Sequence, residues 1–189
     1  MDKQTQILAA ALKLFVTFGF HGTPTIKIAE EAGVANGTLF HYYKTKDDLV
    51  IGLYNRIRSE FSENIAKTIQ ADDFVSVRFK KMFVSSVHWA LDNRDKYYYL
   101  QQFQLSPHVH KIPTEKLKEQ TSVQNQLIAD AIRKKLLIQQ PTDLVINLYN
   151  GLVLAVYQYI TASDLQVDEQ RPIINGAYEA MWEMLKYKG

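Results

Sequence analysis

The stretch 25–49, TIKIAEEAGVANGTLFHYYKTKDDL, constrains this chain more than any other part of it. Ile26, Ile28, Ala29 and Ala32 recur at helical spacing and predict an apolar stripe on a short helix, with Lys27, Glu30 and Glu31 left for solvent. Gly33 supplies the stop, because a sharp turn at a helix end calls for a positive φ that glycine adopts without steric cost. Val34 then folds back as the hydrophobic plug of the turn. A second helix starts around 35–37 and carries Leu39 inward, and a basic lead-in opens a third. Two short helices at a fixed turn, followed by a cationic helix start, are a means of placing one helix in a groove of DNA.

The rest of the chain continues in helical periods. Upstream, Ile7, Leu8, Ala11, Leu14, Phe15 and Phe18 form an apolar-periodic helix ended by Gly19. Downstream, Thr45 followed by Asp48 reads as a helix N-cap with an acid in the first turn, and Leu49, Val50, Leu53, Tyr54, Ile57 and Phe61 make the buried face of a long helix. A polar break at 70–73 precedes a helix carrying Phe79, Met82, Phe83, Val87 and Trp89, which ends near Asn93 and Arg94. A short aromatic helix over 97–103 is followed by a loop bounded by Ser106-Pro107 and Pro113, since a residue before proline is biased away from helix. Helical periodicity returns over 114–138 through Leu117, Leu127, Ile128, Ala131, Ile132 and Leu136. It ends at the basic Arg133-Lys134-Lys135, where a C-terminal dipole favours cations. Pro141 resets the chain before two apolar helices at 142–162 and 168–186. No strand-length alternation competes, so the expected fold class is all-α with about nine helices.

The 144–160 helix is apolar over nearly all its circumference and must be covered on more than one side. Either it is a central helix within one subunit or it pairs with a second copy of the chain.

Composition narrows the possibilities further. At 189 residues one or two domains are expected, and such a chain buries roughly 70% of the surface its unfolded form exposes. With no cysteine, disulfides, thiolate catalysis and cysteine zinc sites are excluded. No continuous apolar run approaches the roughly 18–20 residues of a membrane span, and the first residues lack the pattern of a signal peptide. The expectation is a soluble, cytoplasmic protein with no membrane partner. The net charge is only +2, so any case for DNA must rest on where residues are placed. A weak positive charge also predicts few phosphate contacts per subunit, hence modest affinity unless two subunits bind together.

At this point the residues resemble the DNA-binding domain of the TetR family of bacterial transcriptional regulators. The resemblance is carried by Ala32-Gly33-Val34, Gly37-Thr38-Leu39-Phe40, Tyr42-Tyr43, Lys46 and Leu49, and by the upstream helix with its Gly19 terminator. It implies a helix-turn-helix DNA-binding domain at 1–46 and an effector-binding and dimerisation domain at 47–189. It implies further that Thr25, Tyr42 and Lys46 hold phosphates, and that Asn36, Gly37, Thr38, Phe40 and His41 meet base edges. The chemistry suits both jobs: a hydroxyl or point charge at a helix start for phosphate, an amide that can bond adenine at two atoms, a threonine against a thymine methyl. Lys44 is either a phosphate contact or solvated, and His41 either a contact or a surface residue. Leu39 and Tyr43 read as core. Asn36-Gly37 is also a hairpin-turn dipeptide, but its flanks sit in a helical frame. Two positions depart from the family pattern. Ala35 stands where a capping serine or threonine is usual, worth roughly 1 kcal/mol unless Asn36 takes over. Phe40 stands where tyrosine is common, so its contact must be apolar or absent.

The resemblance also implies a homodimer reading a palindromic operator, joined through the last two helices, here by Leu148, Leu152, Val156, Ile174, Tyr178, Met181 and Trp182. A small-molecule effector in the larger domain would meet Phe79, Phe83, Val87, Trp89, Tyr98, Phe103, Leu127 and Tyr157, a lining suited to a largely apolar or aromatic ligand, or else ordinary core packing. The implied function is a repressor released by that ligand; the alternative is a relative without operator binding that acts through protein contacts. No phosphate-cradling glycine loop, nucleophile motif or paired metal ligands on a helix suggest an enzyme. His108-x-His110, with distant His88, is the one constellation to weigh as a metal site, and two imidazoles in a proline-bounded loop read as solvent-exposed. No cofactor and no metal are expected.

Overall fold

The computed structural model describes residues 2–70, 72–112 and 123–189. Among the described residues nine α-helices form: α1 (Lys3–Phe18), α2 (Thr25–Glu31), α3 (Asn36–Tyr42), α4 (Lys46–Ala66), α5 (Val75–Asp92), α6 (Arg94–Gln104), α7 (Val123–Arg133), α8 (Thr142–Ala162) and α9 (Val167–Leu185). A 3-10 turn, η1, spans Pro107–Lys111 between α6 and α7. The fold is all-α, and β-pairing among the described residues is one isolated bridge, Leu137 to Lys186.

Local signals set the helix ends. Asp2 caps α1 by accepting from the Thr5 amide at 2.9 Å, and Gly19 closes it at φ 72°. At the end of α2 the Gly33 amide donates to the Glu30 carbonyl at 3.0 Å and the Val34 amide to the Ala29 carbonyl at 3.0 Å. That crossed pair is the helix stop which a left-handed residue permits, and Gly33 sits at φ 65° to make it. Thr45 and Asp48 cap α4 reciprocally: the Asp48 amide donates to Thr45 Oγ1 and the Thr45 amide to Asp48 Oδ2, both at 3.0 Å. The predicted helix at 114–138 falls partly outside the described residues, Leu117 included. Its described part, α7, stops at Arg133, because Lys135 turns back at φ 55° and the chain runs on into the Leu137 bridge.

The chain divides into two compact units, Met1–Glu60 with Asn93–Leu117, and Phe61–Asp92 with Lys118–Gly189. α4 begins at Lys46, and within the first unit α6 packs on α1. In the first unit, the head, α1 also packs on α2 and α3. Its core holds Ile7, Phe15, Ile28, Leu39, Leu49, Tyr99 and Phe103. Phe15, Phe20 and Tyr99 pack their rings at 5.4–6.2 Å, and the Tyr99 hydroxyl donates to the Val50 carbonyl at 2.8 Å. Phe18 and Ile26, expected on buried stripes, are exposed. The buried faces of α1 and α2 are narrower than their apolar content, carried by Ile7, Ala10, Ala11 and Phe15 in one and by Ile28 and Ala29 in the other.

In the second unit α5 packs on α8 and α9, and α7 on α8. Phe79, Met82, Phe83, Val87, Val145, Tyr149, Val153, Ile174 and Met181 form its core; each large apolar side chain so buried contributes roughly 1.5–3 kcal/mol. Three polar contacts are built into it. Ser86 Oγ bonds the Met82 carbonyl at 2.8 Å and the Tyr149 hydroxyl at 3.0 Å, and Tyr178 donates to the Ser76 carbonyl at 2.8 Å.

By length and composition α8 is apolar enough to cross a membrane, although Asn147, Asn150 and Gln158 interrupt its apolar run. Its Val145, Tyr149, Val153, Val156 and Ile160 make a buried stripe within the unit.

Candidate nucleic-acid interface

In α3 only Leu39 is buried, and Tyr43, at the helix C-cap, is buried beside it; both are core, as their apolar character predicts. Every other α3 side chain is exposed or half-buried: Asn36, Gly37, Phe40, His41 and Tyr42 are exposed and Thr38 half-buried. Lys44 is exposed, while Thr25 and Lys46 are half-buried at the first positions of α2 and α4. The helix starts at Asn36 with Ala35 as N-cap and no side-chain cap, so Asn36 does not take over the missing role. The His41 and Tyr42 rings meet edge to face at 5.5 Å.

What fixes α3 is Tyr43. Its hydroxyl accepts from Gln4 Nε2 at 3.2 Å, and its ring lies against Gly52 so closely that a Cβ there would sit 2.7 Å from Cε1. Burial raises the Tyr43 hydroxyl pKa, with the Gln4 bond opposing. Sequence reading assigned Tyr43 to the core but missed Gln4 and Gly52, which are distant in the chain and share no motif with it.

The electrostatics are local. Lys13 is paired with Glu31 at 2.6 Å, so it adds little field. Burial lowers the Lys46 ammonium from its ordinary value, with Asp47 opposing. Asp47 itself is engaged from η1: Lys111 Nζ lies 2.6 Å from Oδ2, and His108 Nδ1 lies 3.0 Å from Oδ1 but off the axis of a good hydrogen bond. The Lys111 bond holds the Asp47 carboxyl below its usual range, and burial pulls the His108 imidazole down while Asp47 pulls it up. His108 is thus packed against Phe20, 5.1 Å ring to ring, rather than open to solvent as its loop position suggested. Among the described residues no three His, Asp or Glu groups gather as a metal site.

The residues expected to line an effector cavity separate. Tyr98 and Phe103 belong to the head, and the other six to the second unit. Tyr98 is 48% exposed, because its neighbours Tyr97 and Tyr99 take the buried face of α6. Phe103 is stacked on Tyr54 with centroids 3.9 Å apart. Phe79, Phe83, Val87, Trp89 and Leu127 are buried and Tyr157 half-buried. Phe79 meets Trp182 at 5.9 Å, Phe83 meets Tyr149 at 5.9 Å and Trp89 meets Phe61 at 4.9 Å. None of the eight lines the groove of about 550 Å³ in the head, whose walls include Leu8, Leu12, Tyr43, Leu53, Arg56 and Lys96.

The expected dimer residues also divide. Val156, Ile174, Tyr178 and Met181 are buried within the chain. Leu148 is exposed, and Leu152 and Trp182 are half-buried. Periodicity marks an apolar helix without telling which of its faces the chain itself covers.

Two short helices at a glycine stop, with the second exposing nearly its whole length and a capped helix that opens on Lys46 following, define a helix-turn-helix protein of the DNA-binding kind. A family model described as "Bacterial regulatory proteins, tetR family" matches residues 7–53, and one described as "Tetracyclin repressor-like, C-terminal domain" matches 54–187. The chain belongs to the TetR family of bacterial transcriptional regulators. It is 34% identical over 89 residues, 47% of this chain and 45% of the relative, to a fatty acid metabolism regulator protein of Bacillus subtilis. It is 46% identical over 55 residues to the HTH-type transcriptional regulator RutR of Escherichia coli, covering 29% of this chain and 26% of that one. These matches therefore span less than half the length of either relative. A crystal structure of a TetR family transcription regulator from Shewanella sp. PV-4 superposes with a TM-score of 0.86 at 27% identity, over 98% of this chain and 99% of that one.

Proposed function

We propose that this protein is a repressor that binds a palindromic operator as a homodimer and is released by a small, largely apolar ligand. The observation that carries the reading is α3, which buries Leu39 alone and leaves Asn36, Gly37, Thr38, Phe40 and His41 accessible to base edges. Thr25, Tyr42, Lys44 and Lys46 flank them with hydroxyls and cations for phosphate. Asn36 reads adenine by a bidentate bond, and Phe40 packs on a thymine methyl.

Dimerisation is supported by the apolar surface left on the last two helices, where Leu144, Leu148, Tyr159 and Met184 are exposed. A two-fold pair of α3 helices would read half-sites about one turn of DNA apart, roughly 34–36 Å, or a multiple of that spacing. The ligand class is supported by the aromatic content of the second unit and by the B. subtilis relative, whose name ties it to fatty acid metabolism. The protein acts in the cytoplasm, where the operator is.

The test is selection from random duplex DNA by the purified protein at stated salt, followed by sequencing. An enriched palindrome supports the reading and supplies the probe for an effector screen. A folded, dimeric protein that enriches nothing would instead favour a relative acting through protein contacts. With an operator in hand, Lys46→Ala weakens binding to all sequences alike, whereas Asn36→Ala mainly relaxes base preference.

A further inference from the structure

The segment carrying α6 and η1 is distant in sequence from the helix-turn-helix, yet it clusters with it, and it holds α4 at successive levels. Lys96 bonds Glu60 at 2.6 Å, the Tyr99 hydroxyl donates to the Val50 carbonyl at 2.8 Å, and at the end of the series Lys111 and His108 engage Asp47. The last level differs from the others in position, since Asp47 is the second residue of α4 and directly follows Lys46. It is also two-sided: Lys111 bonds one carboxylate oxygen from a half-exposed site, and the His108 imidazole sits 3.0 Å from the other in a largely buried one. Ser106 anchors the turn, its hydroxyl donating to the Phe103 carbonyl at 2.8 Å and accepting from the His108 amide at 3.3 Å, while Phe20 backs the imidazole.

An unengaged Asp47 would compete with phosphate for the neighbouring ammonium and repel the DNA backbone. Bonded by Lys111 through Oδ2, with His108 packed beside Oδ1, its charge is compensated and it is turned toward η1. We propose that Asp47, His108 and Lys111 form a clasp that positions the first turn of α4, and with it Lys46, for the DNA backbone. The turn at 107–111 thereby becomes part of the DNA-binding apparatus without touching DNA. This rests on the reading that Lys46 holds a phosphate.

The test uses the full chain and a labelled random duplex, with affinity measured across a salt series for Lys46→Ala, Lys111→Met, Lys111→Arg and Asp47→Asn. Lys46→Ala should lower the slope of log affinity against log salt by about one per subunit, as loss of a phosphate contact does. Lys111→Met should weaken binding about threefold to fivefold, the range set by a half-exposed ion pair, with the wild-type slope. Lys111→Arg should restore it. Asp47→Asn separates positioning from charge: removing an acid beside DNA strengthens binding by electrostatics alone, whereas loss of the clasp weakens it. Binding by Asp47→Asn equal to or tighter than wild type overturns the proposal, as does a slope for Lys111→Met reduced by about one, which would make Lys111 itself a phosphate contact. A Lys46→Ala protein with unchanged affinity and slope overturns the phosphate reading as well, so the two failures are distinguishable.

Discussion

Replacing Gly52 by alanine sets two opposing effects against each other on α4. An alanine inside a helix gains about 1 kcal/mol over glycine through intrinsic propensity. At this position, however, the new methyl would lie 2.7 Å from Tyr43 Cε1. The ring is buried and tied through its hydroxyl to Gln4, so it can yield only by straining that bond or shifting toward the groove. Overpacking of that kind costs roughly 1–3 kcal/mol, so the net effect is a destabilisation of about 0–2 kcal/mol. Near the melting temperature each 1 kcal/mol is worth about 2–4 °C in a chain of this size. The sign is best read in a double-mutant cycle by urea unfolding. Tyr43→Ala alone should cost about 3–5 kcal/mol as a large-to-small core change. In that background Gly52→Ala should stabilise by about 1 kcal/mol, since the clash is gone and the propensity gain remains. The same stabilisation by Gly52→Ala with Tyr43 intact would refute the reasoning, because it would mean the ring has space to move. Because Tyr43 caps α3, the single variant should also bind DNA less tightly than its stability loss alone explains.

Further outcomes follow from the helix ends and the buried hydroxyls. Gly33→Ala places a side chain at φ 65° and should cost roughly 1–2 kcal/mol, read as a lower melting temperature. Thr45→Ala removes half of the reciprocal cap on α4 and should cost about 1 kcal/mol, with faster amide exchange confined to the first turn of that helix. Tyr99→Phe gives up the bond to the Val50 carbonyl and should cost about 0.5–1.5 kcal/mol in unfolding experiments. Burial holds the Tyr99 hydroxyl well above its ordinary pKa and pushes Tyr178 up to about 12. Stability should therefore be fully present below about pH 10, where unfolded tyrosines begin to ionise, and fall above it. The loss is at most about 1.4 kcal/mol per pH unit for each such tyrosine, and tyrosinate absorbance should lag behind that of free tyrosine until the chain unfolds.

The chain's own sequence determined what depends on neighbouring residues. Gly33 with Val34 predicts the α2 stop, Thr45 with Asp48 the α4 cap, and Pro141 the entry to α8, because capping and turn geometry are settled within a few residues. The helix-turn-helix was legible for the same reason, being one contiguous motif in which only Leu39 and Tyr43 need a core. Tertiary structure alone decided which face of each helix is consumed and which residues meet across the chain. Periodicity marked Val156, Ile174, Tyr178 and Met181 as apolar and Tyr98 as one of three consecutive tyrosines. It could not tell that the chain buries the first four within itself and leaves Tyr98 outside, since a pattern of apolar residues names a face and not its cover. Nor does any local signal connect Asp47 to Lys111, Lys80 to Glu179 or Ser76 to Tyr178. Charge and hydrogen-bond capacity are printed in the sequence, but their strength depends on a distance that exists only once the helices have packed.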